Sequence, residues 1–439
     1  MQYIPNIIFI IALIAGIGYF TKNIRKVIRN IRLGKDVDRT DNKKERFNNM
    51  ARIALGQSKM VRRPISGILH VVVYLGFIII NIEVLEIIID GILGTHRIFA
   101  FLGGFYDFLI GSFEILALLV LVSVFIFWIR RNVINIKRFK TLKGWPKNDG
   151  NIILYFEVVL MTLFLTMNAA DFQLQSLGAE HYIKAGAYPV SQYITPLFNG
   201  ISEASLILVE RAAWWMHIIG ILIFLNYLYF SKHLHILLAF PNTYYGDLKP
   251  KGQMDNLEAV TKEVMLMMDP NADPFAAPAE GETETEPEKF GASDVTDLNW
   301  VQLLNSYTCT ECGRCTSECP ANQTGKKLSP RKIMMDTRDR LQEVGDNIDK
   351  NGSFVDDGKQ LLNDYITTEE LWACTSCNAC VEACPVSISP LSIILDMRRY
   401  LVMEQSAAPT DLNNMMSNIE NNGAPWPFNQ MDRLNWSQE

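Results

Sequence analysis

The sequence predicts an all-α chain in two parts, a membrane bundle of five transmembrane helices followed by a mainly helical domain that carries every cysteine. Three observations predict it. Five apolar stretches before about Phe240 are each long enough to cross a bilayer, which takes about 20 residues of helix. All eight cysteines fall in two short runs in the C-terminal half, the pattern of metal ligation and not of a scattered disulfide framework. Helix-start signals, Ser or Thr followed by Pro or Glu, stand around those runs. At 439 residues the chain has room for two or three units. A net charge of −6, with no Lys/Arg-rich stripe interleaved with aromatics, sets nucleic acid aside as a partner.

The apolar stretches lie at roughly 3–20, 65–89, 110–129, 152–170 and 212–230. No Lys or Arg precedes the first and no small-x-small cleavage site follows it, so it reads as a retained helix and not as a signal peptide. The segments 21–64 and 130–150 hold 14 and 7 Lys/Arg, whereas 91–109 and 171–205 hold one each, Arg97 and Lys184. The positive-inside rule then places the N-terminus outside an inner (cytoplasmic) membrane and everything after the fifth span in the cytoplasm.

Histidines are few enough to take singly. His217 and His235 are 18 residues apart. That is five whole turns, which on an unbroken helix puts both on one face about 27 Å apart and turns His233 elsewhere. His70 sits about two turns into the second span, after Arg62, Arg63 and Pro64, at the depth where His235 leaves the fifth. Two such imidazoles could clamp one haem iron, a ligation that leaves no site open for a substrate and suits one-electron transfer. The plainer reading is that these histidines pair with backbone or sit at the interface. Glu83 and Glu86 in the second span, Glu114 in the third and Glu157 in the fourth are carboxylates in lipid, which need a partner or a wet cavity. All four are therefore candidates for proton handling at a quinone site, Glu83 and Glu86 foremost, unless Glu86 and Asp90 simply reach the outer interface.

After the fifth span, 241–294 reads as an amphipathic surface segment and then an acidic, Pro-rich tether over 273–288 that lacks the apolar periodicity to bury a core. Residues 298–304 read as a short helix leading into the first cysteine run. That run is Cys309-x2-Cys312-x2-Cys315-x3-Cys319-Pro320, and it returns as Cys374-x2-Cys377-x2-Cys380-x3-Cys384-Pro385. Each is the spacing in which three close thiolates wrap three corners of a cubane, and in two-cluster proteins the fourth cysteine ligates the other cluster. One 4Fe-4S cluster is expected on Cys309, Cys312, Cys315 and Cys384, the second on Cys374, Cys377, Cys380 and Cys319. Zinc also takes four thiolates, but paired two-cysteine knuckles suffice for it and would not need this doubled three-plus-one spacing. Pro320 and Pro385 should turn the chain away from helix, and Gly313 should relieve crowding near a sulfur. Further helices are predicted from Pro330, capped by Ser329, to about Val344; after Thr367 or Thr368; and from Pro390 to about Met403.

The stretch from Trp214-Trp215-Met216-His217 through Ser231-Lys232-His233-Leu234-His235 to Pro241-Asn242 resembles the last span of respiratory nitrate reductase gamma (haem b) subunits. It is closer still to the membrane halves of heterodisulfide-reductase-like and electron-transfer-flavoprotein:quinone-type iron–sulfur proteins. That resemblance implies haem b held by histidines of the second and fifth spans. Here the second span has His70 alone, so one haem is implied by His70 and His235, and His96, beyond Gly91 and Gly94, is the partner left for His217 if there is a second. The region 295–404, on its cysteine motifs, resembles the ferredoxin half of the family that holds heterodisulfide reductase D, the C component of anaerobic glycerol-3-phosphate dehydrogenase and lactate-utilisation iron–sulfur proteins. The tail 405–439, with Asn421-Asn422-Gly423-Ala424-Pro425-Trp426-Pro427, is similar to the connector that in longer relatives leads into cysteine-rich CCG modules. No cysteine is left here for such a module, so the resemblance implies a separate CCG-type iron–sulfur subunit or flavoprotein as partner.

These readings divide the chain into 1–240 (membrane domain), 241–294 (surface segment and linker), 295–404 (dicluster domain) and 405–439 (partner-docking tail). They lead to the expectation of an electron-transfer subunit between a soluble redox partner and a quinone, menaquinone by the resemblance. The alternative is a membrane-anchored ferredoxin without haem or quinone chemistry, serving a maturation or regulatory partner.

Overall fold

The computed structural model describes residues 3–250, 252–270 and 289–438, so the predicted tether at 273–288 lies outside the described residues. Among the described residues the chain is helical, with no β-strand and only two isolated bridges. Five helices are long and apolar enough to cross a membrane: α1 (Ile4–Ile31), α2 (Pro64–Leu93), α3 (Gly104–Asn132), α4 (Trp145–Leu177) and α5 (Glu203–Tyr227). Proline at the first turn starts α1, α2 and α4, where its missing N–H costs nothing. Gly94 (φ 75°) and Gly178 (φ 72°) end α2 and α4 in the left-handed conformation that a Cβ disfavours.

Within the bundle α3 packs between α2 and α4, and α4 lies along α5. Ile110, Phe113, Ala117, Phe164 and Ile218 form its buried centre. Apolar side chains such as Ile7, Ile11 and Ile14 of α1 face outward, the arrangement a lipid-facing surface needs. α1 runs to Ile31, past the end of its predicted apolar stretch; its 28 residues measure about 42 Å, more than a bilayer core.

The surplus of α1 is used by the second part of the molecule. There the main helices are α6 (His235–Tyr244), α7 (Trp300–Thr308), α8 (Pro330–Asn351), α9 (Pro390–Met403) and α10 (Thr410–Asn422). Their starts are built locally. Asn299 caps α7 in a reciprocal box with Gln302, Ser329 Oγ accepts from the Lys332 N–H, and Thr367 boxes with Glu370. α8 continues past the expected Val344 to Asn351, where Gly352 (φ 84°) stops it. One cluster of buried side chains joins Val27 and Ile31 of α1, Phe224 at the end of α5, and Leu303, Ile333 and Leu341 of the second part. The membrane helices and the cysteine domain therefore share a core.

Candidate functional site

The two cysteine runs fold alike. Each has a left-handed residue two positions after its first cysteine and another directly after its second: Glu311 (φ 54°) and Gly313 (φ 71°), then Ser376 (φ 54°) and Asn378 (φ 62°). A short helix follows in each, Arg314–Glu318 and Ala379–Ala383, carrying the third cysteine, and these two helices pack on one another. The fourth cysteine of each run lies just beyond its short helix in extended backbone. Pro320 does not turn the chain from helix as expected; it opens the helical turn Pro320–Gln323, a position where proline fits.

This near-symmetric packing gathers Cys309, Cys312, Cys315 and Cys384 around one cradle. Cys319, Cys374 and Cys377 surround a second, and Cys380 lines both. None of the eight is in a disulfide; Cys377 is exposed. Burial pushes the Cys309 and Cys380 thiols up to about 12, so the thiolate form depends on a bound cation. The donor set, two groups of soft thiols with no histidine lining either cradle, fits iron–sulfur clusters.

Three histidines, His70, His233 and His235, come together where the start of α2 meets the start of α6. The predicted unbroken helix from His217 to His235 is not formed: α5 ends at Tyr227, and Ser231 is extended (φ −114°, ψ 146°). The cause is Asp149 of α4, which is buried and accepts from the Tyr227 hydroxyl (2.6 Å), Ser231 Oγ (2.7 Å) and the Lys232 N–H (3.1 Å). His235 consequently starts α6, and its ring centre lies 6.5 Å from that of His70, at 43°. Its Nδ1 lies 3.1 Å from the Lys232 carbonyl, leaving Nε2 for another partner, while His70 Nδ1 is buried with none. A metal–imidazole bond of about 2 Å on each side would put two ring centres roughly 6 Å apart, so the pair fits a shared iron. His233 turns to Phe224 (5.3 Å) and the edge of His235 (5.4 Å).

At the far end of the bundle a cavity of about 380 Å³ is lined by Glu83, Glu86, His96, Arg97, Asp171 and Trp214, among others. Arg97 is buried there, donating to Asp171 Oδ2 (2.8 Å) and Asn168 Oδ1 (2.8 Å). Glu86 accepts from the Phe99 N–H (2.9 Å) and the Tyr106 hydroxyl (2.8 Å), which makes it the anchor of the 97–106 segment. Glu83 reaches Arg97 with Oε1 (3.4 Å) and leaves Oε2 without a partner. The pairing of His96 with His217 is not formed. His96 Nε2 lies 3.2 Å from Asp171, whereas His217 packs on Phe164 and is fixed by the Leu160 carbonyl (3.0 Å). Sequence reasoning missed Arg97, Asp149 and Asp171 as site builders; the signal available was a charge within or beside an apolar span.

The family model described as a 4Fe-4S dicluster domain matches residues 308–388. The probable iron-sulfur-binding oxidoreductase FadF of Bacillus subtilis is 27% identical over 99% of this chain and 61% of its own length. The EtfAB:quinone oxidoreductase of Syntrophomonas wolfei is 25% identical over 92% of this chain and 55% of its own. A probable membrane-anchored ferredoxin of Chromohalobacter salexigens is 33% identical over 34% of this chain and 24% of its own. The chain thus spans 61% or less of the length of these curated relatives. No solved structure matches it significantly. Together with the five apolar helices, these matches support an iron–sulfur electron-transfer role at a membrane. Residues 308–388 are a 4Fe-4S dicluster domain, and the chain is a homologue of iron–sulfur-binding oxidoreductases and of heterodisulfide reductase C and D subunits.

Proposed function

We propose that the chain passes electrons between a soluble redox partner and the quinone pool, through two 4Fe-4S clusters and haem b. When bound, these groups supply one-electron carriers. Cys309, Cys312, Cys315 and Cys384 would hold the first cluster; Cys374, Cys377, Cys380 and Cys319 the second. His70 and His235 would hold the haem iron. The observation that carries the reading is the link made by the buried Arg314, which lines the first cradle and whose guanidinium reaches the Met60 carbonyl (3.3 Å) and Ser66 (3.5 Å), one helical turn ahead of His70.

The far-end cavity supports a quinone site, menaquinone by resemblance, with the unpartnered Glu83 Oε2 placed to take or give a proton. The Lys/Arg distribution supports a cytoplasmic dicluster domain and an N-terminus on the opposite side. The exposed Phe428, Met431 and Trp436 of the tail support docking of a second polypeptide, a CCG-type iron–sulfur protein, a flavoprotein or a dehydrogenase.

The test is the optical spectrum of dithionite-reduced protein. A sharp α-band at the b-type position is expected, and either His70→Ala or His235→Ala should abolish it. Full haem in the His70 variant overturns the pair. Absence of any haem band in the unaltered protein favours the second reading, an anchored ferredoxin serving a maturation or regulatory partner, which the likeness to the Chromohalobacter protein supports.

A further inference from the structure

Between α3 and α4 the chain makes a helical turn, Lys137–Lys140, that leaves the bundle and seats on the first cysteine run. The contact is at Gly313, the residue after Cys312. A Cβ there would stand 2.9 Å from Arg331 Nη1 and 3.5 Å from the Arg138 backbone carbonyl oxygen and Cβ, so the two segments are in close contact at this glycine (φ 71°). Arg331 ties the two parts together, donating to the Arg138 carbonyl (2.8 Å) and Thr141 Oγ1 (2.6 Å). Within this close contact Arg138 Nε is buried and has no hydrogen-bond partner. A buried donor left unpaired is costly and calls for an acceptor. Arg314, the residue after Gly313, lines the same cradle. Glu311, between Cys309 and Cys312 in the chain, is already paired with Lys232 and Arg338.

The second cradle is different. Its nearby cation is Arg398, which spends its donors on the carbonyls of Leu371 and Cys374 and lies over Trp372. Its Cys377 is exposed.

We propose that Arg138, supplied by the membrane half, is a positioning and tuning residue for the first cluster: its Nε–H donates to the sulfur side of that cluster and its charge holds the first cluster at a higher reduction potential than the second. This rests on the cysteine assignment above. Reduction adds one electron, and a cation or N–H donor at the sulfurs stabilises the reduced form. Water at Cys377 helps the second cluster in the same direction, but solvent screens, whereas the half-buried guanidinium is screened less. An electron entering at the exposed Cys377 side therefore comes to rest on the first cluster, the one that Arg314 links to the start of the His70 helix.

The test is an EPR-monitored redox titration of the full chain in detergent, with iron quantitation and with Cys384→Ser used to assign the signals. In the unaltered protein the signal that Cys384→Ser removes should titrate at the higher potential; the reverse order overturns the proposal. Arg138→Gln should lower the reduced-to-oxidised ratio of that cluster about threefold or more at a fixed potential and leave the other unmoved, and Arg138→Lys should recover part of the shift. An unmoved first cluster, or an equal shift of both, takes down the tuning alone. A Cys384→Ser variant that keeps the first signal takes down the ligand assignment and the proposal with it.

Discussion

Cys384 closes the second cysteine run in sequence, yet it lines the cradle of the first, while Cys319 does the converse. Each fourth cysteine reaches across because the short helix before it ends in extended backbone and the two short helices pack together. Replacing Cys384 with Ser should therefore cost the cluster held by Cys309, Cys312 and Cys315, read as loss of that EPR signal and about half of the iron. Loss of the other signal instead would show that each run serves itself. The grouping of the cysteines was legible in sequence because the close spacing within each run is a local constraint. The histidines were less so. Their relative facing depends on the break at Ser231, and that break is held by Asp149 from another helix, which no periodicity within the fifth span reports.

Secondary-structure elements were legible where the capping chemistry is local and less so where they outlast their apolar pattern. α9 runs over the predicted residues, and Thr367 caps as one of two candidates. α8 extends seven residues beyond its expected end at Val344, and its far turns are held by Arg29 at the Gly345 carbonyl and Lys26 at Asp349. In its middle, Arg340 is fully buried and gathers Asp294 (2.8 Å), Asp357 (2.6 Å) and the Lys359 carbonyl (2.8 Å) onto the helix. Removing one partner of a buried ion cluster leaves the other charges uncompensated. Arg340→Met should thus destabilise the dicluster domain by about 3 kcal/mol, measured as urea-induced loss of cluster absorbance. The hydrogen bond from Arg340 holds the Asp357 carboxyl below its ordinary value of 3.8. A depressed acid contributes stability above that value and loses it as pH falls through the folded value, so acid sensitivity below about pH 4 should be weaker in the variant.

At the scale of the whole molecule, what reads in sequence as two domains on a tether is joined by the far end of α1. Asn30 is buried and donates to the Tyr307 hydroxyl (2.9 Å), Arg29 donates to the Gly345 carbonyl (2.9 Å), and Lys26 pairs with Asp349 (2.6 Å). Just beyond, the Lys35 N–H donates to the Leu298 carbonyl (2.8 Å) and the Trp300 N–H to that of Lys35 (3.1 Å). None of this was legible, because the residues lie on segments hundreds of positions apart and the first apolar stretch stops short of them. Gly345 is the point of closest approach: a Cβ there would lie 2.3 Å from Asn30 Nδ2. Gly345→Val should therefore wedge α1 from α8, at an overpacking cost of about 1–3 kcal/mol, without touching any cysteine. Iron content should stay that of the unaltered protein, since the ligands do not move. Thermal unfolding followed by cluster absorbance and by far-UV dichroism should separate into two transitions, because the shared core no longer couples the parts. If haem is bound as proposed, its reduction after rapid reduction of the clusters should slow, since the seating of the dicluster domain on the membrane helices sets the gap to be crossed. A variant that melts in step with the unaltered protein and reduces haem at the same rate would show that the contacts of α2, α6 and the 133–144 segment hold the two parts together without α1.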